Sequence, residues 1–470
     1  MGLVQAIIFL SLGLFRLAVS STELSPDVGD SDVIYRDVCI IGGGSAGTYT
    51  AVRLSDLGQS VVVVEKENVL GGHTNTYVDP TTKATLDYGV EIWHNLTLVT
   101  NYFDRLNVKL VNPNTGAPTA GSQLYADFST GEALPNFQLP NATDGLIAYS
   151  AQLERFTFLN GGFDLPKPVP ADLLLPFGDF VRKYQLDSMV ITAFQYTETL
   201  GVLLKQPTIY VMKRLGQDIL RNAFGRSFLT TAAHDNSLLY QSAAALLGDN
   251  VLFNSRVLKT TRSNTGVSVL VATPSGRKLI KAKKIVIAIP QVPSNLAGFD
   301  LCEDEYSLFS KFTSVGYWTG LIRNSGIPTG LTILNMDTSQ RDSLPTLPGT
   351  FFFRPTAVPG IVDFKYGTPG PGNVPDAYIK NAVVADLLRL RKAGLNTTVP
   401  DFVAFQSHSP YYLKVSPDDI RDGFYDRFNA LQGQRSTWYT GAALVTQDSS
   451  LIWNFTEALL PRIVGSLYRV

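Results

Sequence analysis

The chain has 470 residues, about three times a typical domain length of ~150, so two or three domains around a sizeable core are expected. Hydrophobic residues make up 45% and charged residues only 17%, against a usual ~25%, which excludes a disordered chain. With 39 basic and 40 acidic residues the net charge is -1, too little positive field to hold a nucleic-acid backbone.

The two cysteines, Cys39 and Cys302, cannot form a disulfide framework, and His73, His94, His234 and His408 show no ligand spacing with them; no metal site is expected. At the N-terminus, the apolar run Leu3 to Val19 and the small residues Ala18-Val19-Ser20 read as a signal peptide over residues 1–20. A signal anchor or a poorly cleaved leader is the alternative, because no Lys or Arg precedes the run. The uninterrupted apolar stretch falls short of the ~20 residues that cross a bilayer, so no integral membrane span is expected. Sequons at Asn95, Asn141, Asn396 and Asn454 agree with a secreted or lumenal glycoprotein. Asn141 and Asn396 are the expected glycan sites, since Asn454 falls in an apolar-periodic helix and Asn95 lies close to a motif.

Val33 to Ile41 is a β-branched strand that ends in Gly42-Gly43-Gly44 and leads into a helical pattern from Ala46 to Leu57, with Gly58 as its C-cap. Val61-Val62-Val63-Val64 is a second strand, buried on both faces, that closes on Glu65. Gly42-x-Gly44-x-x-Gly47 set between strand and helix, with an acid ending the next strand, is a dinucleotide-binding unit. Gly42 makes the tight turn, Gly44 leaves room for a pyrophosphate, and Gly47 lets helix and strand pack closely. Ser45 and Ala46 offer the helix N-terminus to the phosphates. Glu65 accepts hydrogen bonds from ribose hydroxyls, and its charge repels a 2'-phosphate. A second glycine pair, Gly71-Gly72-His73, follows with Thr74 and Thr76, and then Asp87-Tyr88-Gly89-Val90-Glu91.

From Asn101 to about Asp249 the pattern turns mainly helical. Strands return as a meander, Arg256 to Arg262, Val267 to Ala272 and Lys284 to Ile289, joined by turns rich in Gly, Asn and Pro. Residues 301–400 mix strands with Gly/Pro-rich loops, and a last strand, Ser436 to Gly441, feeds a helix from Ser449 to Val464.

With these patches the chain resembles the glutathione-reductase-type FAD fold and, within it, the flavin-containing amine oxidase superfamily. It is most similar to the fungal β-cyclopiazonate dehydrogenase family, through Gly71 to Thr76, Asp87 to Val90, Asn250 to Val257 with Ala288-Ile289-Pro290, and Trp438 to Ala442. The expected fold is α/β: a Rossmann-like FAD-binding domain built from segments 31–100, 246–300 and 401–470, plus a mixed α+β substrate domain from 101–245 and 301–400. The resemblance implies that Val257 meets the adenine through its backbone and that Val90 and Glu91 lie beside the isoalloxazine. Gly441 and Ala442 would touch the ribityl chain or pyrophosphate. The helix starting at Ser449 and Ser450 would aim its positive end at the flavin C2 carbonyl.

Departures from the amine oxidase pattern accompany the likeness. His73 stands where those enzymes carry Arg, which makes the charge there weaker or pH-dependent. The C-terminal motif holds no Cys, so FAD is expected to be noncovalent. Val315 to Ile322 contains no counterpart of the lysine found near flavin N5. His73 is a covalent flavin ligand or, the favoured reading, a phosphate or ribose contact. His94 faces substrate or, as favoured, packs in the core beside Trp93. Lys365 replaces the missing lysine or, as favoured, sits exposed at a strand edge. Asp87 is a turn or helix-dipole partner, and Phe351 to Phe353 with Tyr411-Tyr412 line a pocket or fill the core. No catalytic residue is assigned. The expected function is FAD-dependent oxidation of a hydrophobic small molecule, by hydride transfer from a C–H next to nitrogen or oxygen, with oxygen or a small molecule as electron acceptor. The family adds oxidative cyclisation in secondary metabolism. A redox-neutral isomerase or desaturase of a lipid and a secreted FAD-binding protein without turnover are the alternatives.

Overall fold

The computed structural model describes residues 32–113 and 121–468; the expected signal peptide lies outside the described residues. Val38, Cys39, Ile40 and Ile41 are almost wholly inaccessible because Val33–Ile41 lies in the middle of a 7-stranded sheet, covered on both faces. The sheet runs Arg256–Ser263, Gly266–Thr273, Gly276–Ile287, Val33–Ile41, Val61–Val64, Val251–Leu252, and Thr437–Tyr439 pairs with the far end of Gly276–Ile287. Cys39 stands opposite Val62 on one side and Ile285 on the other, both parallel, which explains the unbroken apolar runs. The helices Ser45–Asp56 and Ser449–Leu467 pack together against this sheet, with Tyr49 stacked on Trp453 at 5.5 Å.

The meander's last strand starts at Gly276 rather than Lys284. Residues 276–282 pair antiparallel with Gly266–Thr273 and residues 279–287 parallel with Val33–Ile41, so the middle of the strand has both neighbours. Arg277, Lys278 and Lys281 conceal it in sequence by sending charge outward while Leu279, Ile280 and Ala282 are buried.

A second, 8-stranded sheet has the order Asp401–Ser407, Thr313–Arg323, Ile361–Thr368, Gly349–Pro355, Leu331–Asn335, Ser122–Asp127, Glu132–Ala133, with Tyr411–Lys414 also on Thr313–Arg323. Three expected boundaries change. Asp401–Ser407 and Tyr411–Lys414, assigned above to the FAD segment, complete this second sheet, where Phe402 and Phe405 pack against Phe364. Glu303–Phe309, assigned to the substrate domain, is tied to the first sheet by Arg262, whose guanidinium bonds Glu305 at 2.7 and 2.8 Å. The helix Thr97–Arg105 runs across the expected break at residue 100, because Tyr102 and Phe103 pack on Trp453.

Candidate active site

The two glycine motifs are zipped together. Gly71 N–H donates to the Gly43 carbonyl at 2.9 Å, and Gly44 bridges Gly71. A Cβ on Gly47 would lie 1.8 Å from the Gly42 carbonyl oxygen, and one on Gly72, at φ +58°, would lie 3.0 Å from Gly44 Cα, so backbone meets backbone here and only glycine serves. Gly441 brings in the third segment: a Cβ there would sit 3.9 Å from both Ala46 Cβ and the Ala288 carbonyl oxygen. Ala442 opens the short turn Ala442–Leu444 that follows.

Glu65 closes one end of this wall. Its carboxylate accepts the Gly43 N–H at 2.6 Å and the Glu67 N–H at 2.8 Å, and its carbonyl accepts the Ser255 N–H, which brings the start of the Val257 strand alongside. At the wall's centre Trp453 Nε1 donates to Ser45 Oγ at 2.9 Å, bringing the helix beginning at Ser449 to the N-terminus of Ser45–Asp56. Among the described residues Thr74 Oγ1 and Tyr240 Oη are buried beside them without a fully formed hydrogen bond, Tyr240 having only weak reach to Ser45, Thr74 and Ser449, and the Tyr240 ring covers Gly71. Bare backbone, two helix N-termini and these buried hydroxyls together suit a phosphate-bearing cofactor.

His73 turns away toward the second sheet. Its ring stacks on His408 at 4.3 Å and lies 5.4 Å from Tyr411, while His408 Nε2 sits 2.9 Å from Asn75 Oδ1. Burial, with Lys66 adding to it, lowers the His73 pKa to about 4, and burial holds His408 well below its ordinary value. The pH-dependent positive charge expected at His73 is therefore absent near neutrality. Val90 N–H donates to the His73 carbonyl, and Asn236 Nδ2 donates to the Val90 and Glu91 carbonyls. Asp87 accepts the Asn236 N–H at the start of the helix Ser237–Leu247, the helix-end role read from sequence, and burial pushes its pKa up to about 8.

Lys365 corrects its reading as an exposed edge lysine. It is 3% exposed, on a strand flanked on both sides by neighbours, and its Nζ reaches the Tyr88 carbonyl at 2.8 Å, Asp363 at 3.0 Å and Glu91 at 3.2 Å. Arg354 also bonds Glu91, at 3.0 Å, and Asp363 at 2.6 Å. Burial works against the Lys365 charge, but Asp363 and Glu91 outweigh it and raise its pKa; Arg354 and Lys365 likewise hold Glu91 ionised. Above this cluster Tyr317 Oη donates to Glu198 Oε1 at 3.3 Å, and Tyr317 lies 5.0 Å from Tyr411. Burial raises the Glu198 pKa to about 7.

The helix at Ser449 and Ser450 carries an added charge at its N-terminus. Asp448 caps it through the Leu451 N–H at 3.1 Å, His94 Nε2 lies 3.0 Å and Arg214 Nη1 3.7 Å from the same carboxylate, and His94 N–H donates to Ser450 Oγ. Burial opposes ionisation of Asp448, but His94, Arg214 and the Leu451 N–H hold its pKa at about 2. The positive helix end inferred from sequence is thus partly offset by its own cap. His94 is core-packed as favoured, 1% exposed and edge-on to Phe228, yet it is also ion-paired.

Residues 45–313 match the family described as flavin containing amine oxidoreductase, more than half of the chain. An FAD-dependent oxidoreductase, oblC, of Cochliobolus heterostrophus is 39% identical over 452 residues, 93% of this chain and 92% of its own. A beta-cyclopiazonate dehydrogenase of Aspergillus flavus is 34% identical, covering 95% of this chain and 97% of its own. This chain belongs to the flavin-containing amine oxidoreductase family. It is an oxidoreductase enzyme, as the sequence motifs led one to expect. Solved structures agree on the fold: a CLA-producing fatty acid isomerase from P. acnes superposes with a TM-score of 0.70 at 18% identity, covering 91% of this chain and 98% of its own. A putrescine oxidase superposes at 0.63 and 15%, covering 92% of this chain and 100% of its own.

Sequence reading missed Glu198, Tyr317, Arg354, Asp363 and His408 in this flavin-family site. One signal was available: Asp363 and Lys365 put opposite charges on the same face of an otherwise apolar strand, the spacing of a buried pair. Glu198 had none, being one acid in a helical stretch.

Proposed function

We propose that the chain is an FAD-dependent oxidoreductase that holds FAD noncovalently across its three converging segments and oxidises a hydrophobic small molecule by hydride transfer to flavin N5. The observation that carries this is the bare glycine wall at which two helix N-termini meet the buried hydroxyls of Thr74 and Tyr240, neither of which makes a fully formed hydrogen bond among the described residues. Gly42, Gly44, Ser45, Ala46 and Gly47 take the pyrophosphate, and Glu65 the ribose. Its carboxylate has about four acceptor sites and gives only two to Gly43 and Glu67. Val257 takes the adenine edge. Gly71, Gly72, His73, Val90 and Glu91 border the flavin on one side, and Gly441, Ala442 and Ser450 on another.

Bound FAD supplies a two-electron acceptor to this site. The chain supplies the shape and the charge. Lys365 clamps the Tyr88 carbonyl and Glu91, so the segment beside the flavin is fixed to the second sheet. Tyr317, Tyr411, His408 and His73 form an aromatic, uncharged surface, which favours an apolar, aromatic substrate. The relatives named oxidoreductase and dehydrogenase support removal of hydrogen from an organic molecule. Oxidative cyclisation in secondary metabolism, oxygen or a small molecule as acceptor, and a secretory location with glycans belong to the same proposal.

Anaerobic stopped flow tests it. An aromatic amine with a C–H next to nitrogen reduces the bound flavin, with a primary isotope effect when that carbon carries deuterium, while NADPH leaves it oxidised. Fast bleaching by NADPH and none by such amines contradicts the proposal.

A further inference from the structure

Glu198 stands apart from the ion cluster it overlooks. Arg354 and Lys365 are matched by Glu91 and Asp363, two cations against two anions, so this cluster leaves the Glu198 carboxyl no cation to pair with among the described residues. The one hydrogen bond recorded to its side chain among the described residues comes from Tyr317. It sits in the short turn Glu198–Leu200, whose Leu200 carbonyl is held by buried Lys414 at 2.8 Å, so the turn has a rigid anchor. A half-buried acid beside Tyr317 and Tyr411, with one oxygen unbonded and no ion partner among the described residues, has the surroundings of a proton acceptor rather than of a structural ion pair.

We propose that Glu198, oriented by Tyr317, takes the proton from the substrate at the flavin site, which makes the substrate one whose oxidised carbon bears an N–H or O–H. This rests on the reading of the site as an FAD oxidoreductase. The C–H bond breaks with both electrons leaving as hydride to the flavin, which is the oxidant. The N–H or O–H proton passes to a Glu198 oxygen, and a C=N or C=O bond forms. The groups facing Glu198 are Tyr317 on Thr313–Arg323, Asp363 and Lys365 on Ile361–Thr368, Arg354 on Gly349–Pro355, Glu91 and Tyr411. With the ion cluster internally neutral, burial governs Glu198 and brings it near pH 7, where an acceptor is efficient.

The test uses the FAD-loaded wild type, Glu198→Gln and Tyr317→Phe. Gln keeps the size of the side chain and its hydrogen bond to Tyr317. Midpoint potential is measured against pH with a reference dye, with no substrate present. Reduction places negative charge beside Glu198 and raises its proton affinity, so the wild-type plot steepens around pH 7 and the Glu198→Gln plot loses that steepening. Loss of the Tyr317 hydrogen bond in Tyr317→Phe moves the steep region to higher pH. Tetrahydroisoquinoline, a secondary amine with benzylic C–H next to N–H, is the substrate probe. Its reduction of the flavin slows about a hundredfold in Glu198→Gln, within the usual range for a general base, and loses its rise through pH 7. A wild type that carries no FAD overturns both this assignment and the reading beneath it. Bound FAD with identical potential plots and rates in wild type and Glu198→Gln overturns the Glu198 assignment alone.

Discussion

Glu65 joins two tasks in one carboxylate. It braces the glycine turn through the Gly43 and Glu67 N–H groups and keeps lone pairs for the ribose. Glu65→Ala removes both, so FAD should bind at least about tenfold more weakly, from a charge-assisted hydrogen bond of roughly 1.5–3 kcal/mol. Glu65→Gln retains an acceptor oxygen for Gly43 and should lose affinity while unfolding close to the wild-type temperature. Equilibrium dialysis and thermal melts of the apoproteins separate the two contributions; equal FAD affinity in all three proteins contradicts the ribose role. His73 adds a pH test. Its folded pKa of about 4 lies below its ordinary 6.5, so the unfolded chain takes the proton first and stability is lost as pH falls from 6.5 toward 4. Glu198 and Asp87, raised to about 7 and 8, act oppositely, because their buried acids must ionise as pH rises. The expected outcome is that His73→Phe, which keeps a ring on His408, melts with a shallower acid-side decline than wild type in parallel pH series.

Arg262 shows what holds the elements of the first sheet together. Its side chain is wholly inaccessible and joins the meander to Asp300, to Glu305 on the helix Glu303–Phe309, and to Thr437 on the last strand. Arg262→Ala leaves buried Glu305 with only the longer 3.4 Å contact to Arg435 as its ion pair, at a cost of up to about 3–5 kcal/mol; differential scanning calorimetry should show a clear drop in melting temperature with no change of fold below it. Gly47→Ala puts a methyl group 1.8 Å from the Gly42 carbonyl oxygen, so the purified variant should contain little flavin. Elements whose sequence pattern matches their burial were legible: the strand Val33–Ile41, the glycine turn, the helix from Ser45 and the valine strand. The charged first half of Gly276–Ile287 was hidden, because Arg and Lys on an outward face mask its buried partners. Asp401–Ser407 and Tyr411–Lys414 were given to the wrong sheet, since a strand's sequence does not name its neighbour. Lys365 was misplaced for a related reason: the carboxylates that allow its burial come from Glu91, far along the chain, as well as from Asp363.

At the scale of the molecule, two sheets made of interleaved segments are linked through the His73–His408 stack and the Glu91–Lys365–Arg354–Asp363 cluster. The glycine wall comes from the first-sheet segments, while Tyr317, His408, Tyr411 and Glu198 come from other parts of the chain and meet His73, which extends from the wall's own Gly71-Gly72 segment. No helix among the described residues is long and apolar enough to cross a membrane. In the proposed reading three separated segments build one noncovalent FAD site, and acid precipitation of the purified protein tests this. The expected result is a yellow supernatant whose flavin is FAD by mass, close to one per chain, over a colourless pellet. A protein that yields no flavin, or a pellet that keeps the colour, contradicts it.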